Sequence, residues 1–247
     1  MTAVFVHGNP ETAAVWERLI AELGDTSTVC LSPPGFGAPL PAGFGATAVE
    51  YRDWLIGELE KFPEPVDLVG HDWGGAHVLN AVMARPELVR SWVSDTAGAF
   101  DPEYVWHDLA QGWQTPGVGE EMVAAMFGAP IETRAERLVR GGMHESVAAK
   151  VAEGVNDEMA RAVLPLYRSA AQPAIAEFGQ HLERAAQRPG LVVLATEDHY
   201  VGTDEQRRRT AARAGARVTV LEGLGHWWMT QDPVQGARIL TEFWASC

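Results

Sequence analysis

Cysteine is nearly absent from this chain: there are two in 247 residues, Cys30 and the terminal Cys247. Cys30 falls beside a predicted strand and Cys247 at an end that should fray, so no structural disulfide is expected. Basic residues are scarce too. Nineteen Lys and Arg against 33 Asp and Glu leave a formal net charge of -14. That excludes nucleic acid as a main partner, because phosphate binding needs a basic surface. The one dense basic run, Arg207-Arg208-Arg209 with Arg213 and Arg217, reads as a solvated helix face, with a docking patch as the alternative. No apolar run approaches membrane-spanning length, which argues against a membrane partner. Met1-Thr2-Ala3 passes straight into Val4-Phe5-Val6 without a basic region, so no secretory leader is read. The expectation is a reduced, cytoplasmic protein.

What is present is a core. Hydrophobic residues make up 47% and charged residues 21%. At this length that suits one large domain, or a core with an inserted smaller one. Short apolar runs alternate with segments of helical spacing. "AVFVHGNPE" reads as a strand entering a loop, and "TAAVWERLIAEL" as a helix. "STVCLSPPGFG" is a strand with a Pro/Gly loop, and "ATAVEYRDWLIGELEKF" a helix ended by prolines. "VDLVG" and "RSWVSDTAGAF" are further strands around the helix "GGAHVLNAVMARPELV". This rhythm predicts an α/β fold with a mostly parallel sheet and flanking helices. It stops near Gly98. Residues 99–188 show helices and loops but no strand, so they read as an inserted helical cap between core segments 1–98 and 189–247. "GLVVLATEDHY", "ARVTVLEGLGH" and the helix "DPVQGARILTEFW" complete the core.

The chemistry concentrates in "VDLVGHDWGGAHV", Val66 to Val78. A strand ends in Gly-His-Asp-Trp-Gly-Gly and a helix follows. That is the pattern of a nucleophile elbow, G-x-Nu-x-G, with Asp72 at the position where serine is commonest. An N-cap aspartate would also fit, but a cap does not need Gly70, Gly74 and Gly75 around it. His226, in "LEGLGHWWMTQDP", and Asp198, after "LVVLAT", both follow strands and so belong at the same C-terminal sheet edge. Glu197 and Asp95 are alternatives for the acid, and a packed histidine is the alternative for His226. An aspartate is already an anion at pH 7 and needs no activating base to attack a saturated carbon. The product is an alkyl ester, which His226 hydrolyses by drawing a proton from water while Asp198 orients its ring. Backbone N–H groups of Asn9 and Trp73 are the candidate oxyanion donors.

These segments, with "HGNPE", "GHDWGG", "ED" before "HYVG" and "GHWW…DP" in order over nearly the whole chain, resemble the aspartate-nucleophile branch of the α/β-hydrolase superfamily: epoxide hydrolases and haloalkane dehalogenases. The resemblance implies an α/β-hydrolase fold. The family usually has two strands before the "HG" strand, so an N-terminally shortened sheet is expected here, with an edge that needs another cover or a partner chain, as in a homodimer. For a dehalogenase, the Asn9 amide and the Trp73 indole would bind the halide. For an epoxide hydrolase, "LPLYRSA" is similar to the segment carrying a ring-opening tyrosine, and Tyr167 is the match; ordinary packing is its alternative. The family's other tyrosine falls at Gly112, beside Trp113, which leaves Tyr104 or His107 to substitute. Fluoroacetate dehalogenases, a third relative, usually have arginine where Trp73 stands, which argues against a small acidic substrate.

Trp106, His107 and Trp113 are expected at the substrate pocket, with Met122, Met126 and Phe127 either there or in the core. His107, His144 and His181, with Asp101 and Asp108, are candidate polar contacts. Their spacing is not that of metal ligands, and no metal or other cofactor is expected. The reading is an epoxide hydrolase acting on a largely apolar small molecule. The alternatives are a haloalkane dehalogenase, and a non-hydrolytic enzyme or ligand-binding protein on the same fold.

Overall fold

The computed structural model describes residues 2–247. Its described residues form six parallel strands: β1 (Thr2–Val6), β2 (Ser27–Leu31), β3 (Val66–Gly70), β4 (Val89–Ser94), β5 (Gly190–Ala195) and β6 (Arg217–Leu221). They lie in the order β2-β1-β3-β4-β5-β6. Short α1 (Glu17–Glu22), α2 (Ala48–Leu59) and α3 (Trp73–Ala84) connect the first four. Between β4 and β5 the chain is helical: α4 (Asp108–Gln114), α5 (Val118–Phe127), α6 (Ile131–Arg140), α7 (Glu145–Gly154), α8 (Asp157–Ser169) and α9 (Ala174–Phe178). Then come α10 (Asp204–Arg213), α11 (Trp228–Gln231) and α12 (Pro233–Trp244).

The central strands β1, β3, β4 and β5 are almost wholly buried, as near-continuous apolar runs in a doubly covered parallel sheet should be. Alternate residues feed two cores. Val4, Leu68 and Trp92 pack against α2, α3 and the helical insertion. Phe5, Val69 and Val93 pack against α1, α11 and α12. The outer strand on the N-terminal side is β2, since β1 pairs on both sides. It is half-exposed, as an edge strand is.

From β1 the chain first runs outward to β2, then returns past β1 to β3. The switch point therefore lies between β1 and β3. In open parallel sheets the crevice at such a point, beyond the strands' C-terminal ends, receives ligands. The loops leaving there are His7–Glu11 and His71–Asp72.

Candidate active site

The turn from β3 into α3 is built by glycine. A Cβ on Gly70 would stand 2.5 Å from the Gly74 carbonyl oxygen, and one on Gly74 only 2.1 Å from that of Val6. The helix can therefore start directly against the strands. Asp72 sits on this turn at φ 50°, ψ -128°, a left-handed conformation that non-glycine residues rarely hold. The surroundings over-determine it. The Asp72 N–H donates to Asp95 Oδ1 (2.9 Å), and Thr96 Oγ1 donates to the Asp72 carbonyl (2.7 Å). Its side chain makes no cap bond to α3. It projects instead toward the loop after β1, where the Asn9 N–H donates to Oδ1 (2.8 Å).

The other carboxylate oxygen faces His226, whose Nε2 is 3.7 Å from Asp72 Oδ2. Nδ1 of the same ring donates to Asp198 Oδ2 (2.9 Å). Since a carboxylate only accepts, Nδ1 carries the proton and Nε2 is the atom free to exchange one. Asp198 is buried, and its Oδ1 accepts the Tyr200 N–H (2.9 Å). Adjacent Glu197 is exposed. Asp95 is buried but engaged elsewhere, accepting from His71 Nδ1 (2.6 Å) and Trp228 Nε1 (2.8 Å).

Arg207, read from the sequence as part of a solvated face, is buried. Its guanidinium donates to the backbone carbonyls of Gly202 (3.0 Å), Ala195 (2.8 Å) and Asp198. Three carbonyls converging in the loop after β5 supply what a buried guanidinium requires, and that loop carries Asp198.

Burial raises the Asp72 pKa to about 6, against the opposing pull of the His226 charge and the Asn9 N–H. Burial depresses the His226 pKa, but the Asp198 charge and hydrogen bond outweigh it and leave the value raised. Asp198 is held at about 2, its burial overcome by His226. Beneath this trio lies a set of groups the sequence reading overlooked. His71 has Nδ1 on Asp95 and Nε2 3.3 Å from Glu11 Oε1, all fully enclosed. Burial lowers its pKa, but the two carboxylates raise it well above normal, so His71 is an imidazolium between two anions. Glu11 also accepts from the Trp227 indole and the Gly8 N–H (3.2 Å). Glu11, His71 and His226 bring potential metal-ligand atoms within 4.8 Å of one another. With both its nitrogens facing carboxylates, the His71 ring is placed to hold a proton between them.

A cavity of about 210 Å³ opens above Asp72 and His226. Asn9, His107, Trp113, Met126, Phe127 and Tyr167 contribute to its wall. The Asn9 side-chain amide is buried there with neither polar atom bonded. Tyr167 comes from α8, whose face Met159, Ala162, Val163 and Leu166 faces the core. Burial and the Asp72 charge push its pKa well up, with the nearby Trp73 indole opposing them. It is a neutral phenol. Trp73 and Trp106 stack behind the cavity, ring centroids 5.7 Å apart, and border a narrower space. Trp106 is thus a backing residue, its Nε1 committed to the Ala170 carbonyl (3.2 Å), rather than a wall of the main cavity. The Tyr104 hydroxyl is likewise committed, to the Tyr200 carbonyl (2.7 Å).

Of the proposed polar contacts only His107 lines the cavity. Asp101 is taken by Arg209, His181 is exposed beside Glu183, and His144 caps α7. Asp108 lies exposed in the first turn of α4. Burial lowers the His107 pKa to about 4, so its ring is neutral. Gly112 packs on Met122, whose sulfur would be 2.4 Å from an added Cβ, so Met122 fills the space of the absent tyrosine. Tyr200, which the sequence reading passed over, borders the cavity with its ring against both His226 (5.0 Å) and His107 (4.9 Å).

The chain belongs to the alpha/beta hydrolase family, whose model matches residues 3–238. It is 35% identical over 95 residues to an epoxide hydrolase of Caballeronia sordidicola, a match covering 36% of this chain and 28% of that protein. It is 32% identical over 104 residues to a cis-3-alkyl-4-alkyloxetan-2-one decarboxylase of Shewanella oneidensis, covering 39% of this chain and 32% of that one. Each match spans less than a third of the relative's length. Among solved structures, an ancestral haloalkane dehalogenase superposes with a TM-score of 0.74 at 21% identity, covering 99% of this chain and 92% of that chain. At that identity the likeness is one of fold.

Proposed function

We propose that the protein is an epoxide hydrolase that works through an alkyl ester on Asp72. The observation that carries the reading is a neutral phenol, Tyr167, in the cavity that a strained, unprotected carboxylate enters. Asp72 Oδ1 is held by the Asn9 N–H, which leaves Oδ2 to attack. As the C–O bond to Oδ2 forms, the ring C–O bond breaks. The departing oxygen takes the Tyr167 proton, so no free alkoxide has to leave. His226 Nε2 then removes a proton from water, and the hydroxide adds to the ester carbon. The oxyanion develops on Oδ1, against the Asn9 N–H and the first N–H of α3, at Trp73. On collapse the ester C–O bond breaks, the departing alkoxide takes the proton held on His226 Nε2 and leaves as the diol, and His226 and Asp72 are regenerated. The proton set free as the carboxylate re-forms restores the Tyr167 phenol, so the sum is epoxide plus water.

The helical residues 99–188 act in this reading as the cap that shuts water away from the first step. The match to an epoxide hydrolase supports it. One observation favours a second reading, a haloalkane dehalogenase: the unbonded Asn9 amide in the cavity wall is a donor suited to a halide. The test is intact mass on His226→Gln. Without the base the ester accumulates. A gain of the whole mass of styrene oxide supports ring opening. A gain of a butyl group from 1-bromobutane, without its bromine, and none from the epoxide transfers the assignment to the dehalogenase.

A further inference from the structure

α6 places Arg134 and Arg137 three residues apart, hence on one helix face, and both line the cavity that holds Asp72. Arg134 Nη1 donates to the Val155 carbonyl (3.0 Å), which fixes the guanidinium. Its Nε is buried with no partner. Among the described residues no carboxylate forms an ion pair with either arginine, although the chain has 33 acids. Arg134 is half-buried, whereas Arg137 is exposed, as are Glu132 and Glu136 on the same helix. Elsewhere Arg168 and Arg209 take carboxylate partners through two nitrogens. The same cavity is lined by the apolar side chains of Trp113, Met126, Phe127 and Val155. A buried donor left unbonded is costly, and a guanidinium's planar fork fits an oxyanion.

We propose that Arg134 and Arg137 form an anion subsite, so that the substrate is amphipathic: an apolar body with a carboxylate at the end remote from the reacting carbon. The inference rests on this cavity being the substrate site proposed above, and it replaces the expectation of a substrate that is simply apolar. The guanidiniums bind the carboxylate and orient the chain, and the apolar wall carries its methylenes toward Asp72.

The test needs no turnover. Binding of sodium octanoate and of 1-octanol to the whole protein is measured by calorimetry and by quenching of tryptophan fluorescence. Octanoate is expected to bind about tenfold or more tightly than the alcohol, the equivalent of about 1.4 kcal/mol. Arg134→Gln with Arg137→Gln should abolish the preference, weakening octanoate binding far more than octanol binding. Arg134→Lys, which keeps the charge, should retain part of it. Equal binding of acid and alcohol by the unaltered protein overturns the subsite, as does a preference that survives in the folded double variant. If octanoate is preferred but His226→Gln gains no adduct from an ω-epoxy acid, the anion subsite stands and the epoxide reading falls. If the adduct forms equally well from the acid and its methyl ester, the epoxide reading stands and the subsite falls.

Discussion

The ring of His71 packs 4.6 Å, centroid to centroid, from that of His226, so two imidazoles share the floor of the site. They are not equivalent. His71 is sealed between Glu11 and Asp95, whereas His226 has one nitrogen toward the cavity. The His71 charge lowers the His226 pKa and opposes the Asp198 effect. It also lowers the pKa of Asp72. A buried cation thus offsets the cluster of acids at this sheet edge.

His71→Gln tests that role. Removing one partner from a buried charged set typically costs about 3–5 kcal/mol, here because Glu11 and Asp95 lose their shared counter-ion. Urea denaturation should show a loss of that order. In protein that remains folded, the pH limb governed by His226 should move to higher pH, because a positive neighbour is gone. A limb that stays in place would mean that His71 only fills space.

The two chemical steps should depend differently on pH. A protonated Asp72 is no nucleophile, so ester formation should fall about tenfold per unit below about pH 6 and be level above it. Ester hydrolysis requires neutral His226, whose pKa lies above the ordinary 6.5, so that step slows first as pH falls. Near pH 6.5 the ester should accumulate even in the unaltered enzyme. Rapid-quench mass measurement across pH 5–9 checks this. A single shared limb, with no accumulation, would contradict the assignment of separate roles.

The fold was legible in the sequence because a doubly covered parallel sheet writes itself as apolar runs separated by helical spacing. The elbow was legible because three glycines surround one aspartate, and the structure shows close backbone at Gly70 and Gly74 and the hydroxyls of Ser94 and Thr96 close against Gly75. Side-chain pairings across the sheet edge were not. Glu11 and His71 lie inside the quoted segments "HGNPE" and "GHDWGG", yet nothing local tells a buried ion pair from loop polarity. Arg207 looked solvated because its neighbours Arg208 and Arg209 are surface residues, and only the tertiary course of the loop after β5 buries it. Arg134 and Arg137 gave no signal, since a charged, amphipathic helix reads as a solvent face until its neighbours are known. Asp198 was preferred in the sequence with Glu197 left open beside it, and it is burial and the bond to His226 that separate the two.

Arg207 supports the loop that holds Asp198, so Arg207→Met should act at a distance. It leaves three backbone carbonyls without their donor and lets the acid drift from His226. Loss of the outer partners of metal ligands costs about 10–100-fold, and a loss of the same order is expected for this support. The expected result is a lower kcat with KM little changed, because Arg207 does not line the cavity. A change confined to KM would place its influence on binding instead.

Gly8 sets how close the loop after β1 comes to the Asp72 carboxylate. A Cβ there would stand 2.3 Å from both Cβ and Oδ1 of Asp72, within the volume that the side chain occupies. Gly8→Ala must push Asp72 away or displace the loop, and either breaks the 2.8 Å bond from the Asn9 N–H. A displacement near 1 Å can cost about 100-fold in rate. Ester formation and hydrolysis should both suffer, since the same N–H holds the carboxylate before attack and the oxyanion after it. His226→Gln, by contrast, should impair hydrolysis far more than ester formation. Single-turnover kinetics on the two variants separate these patterns. If Gly8→Ala slowed only hydrolysis, the Asn9 N–H would serve the oxyanion alone, and the aim of Asp72 would be set by the elbow.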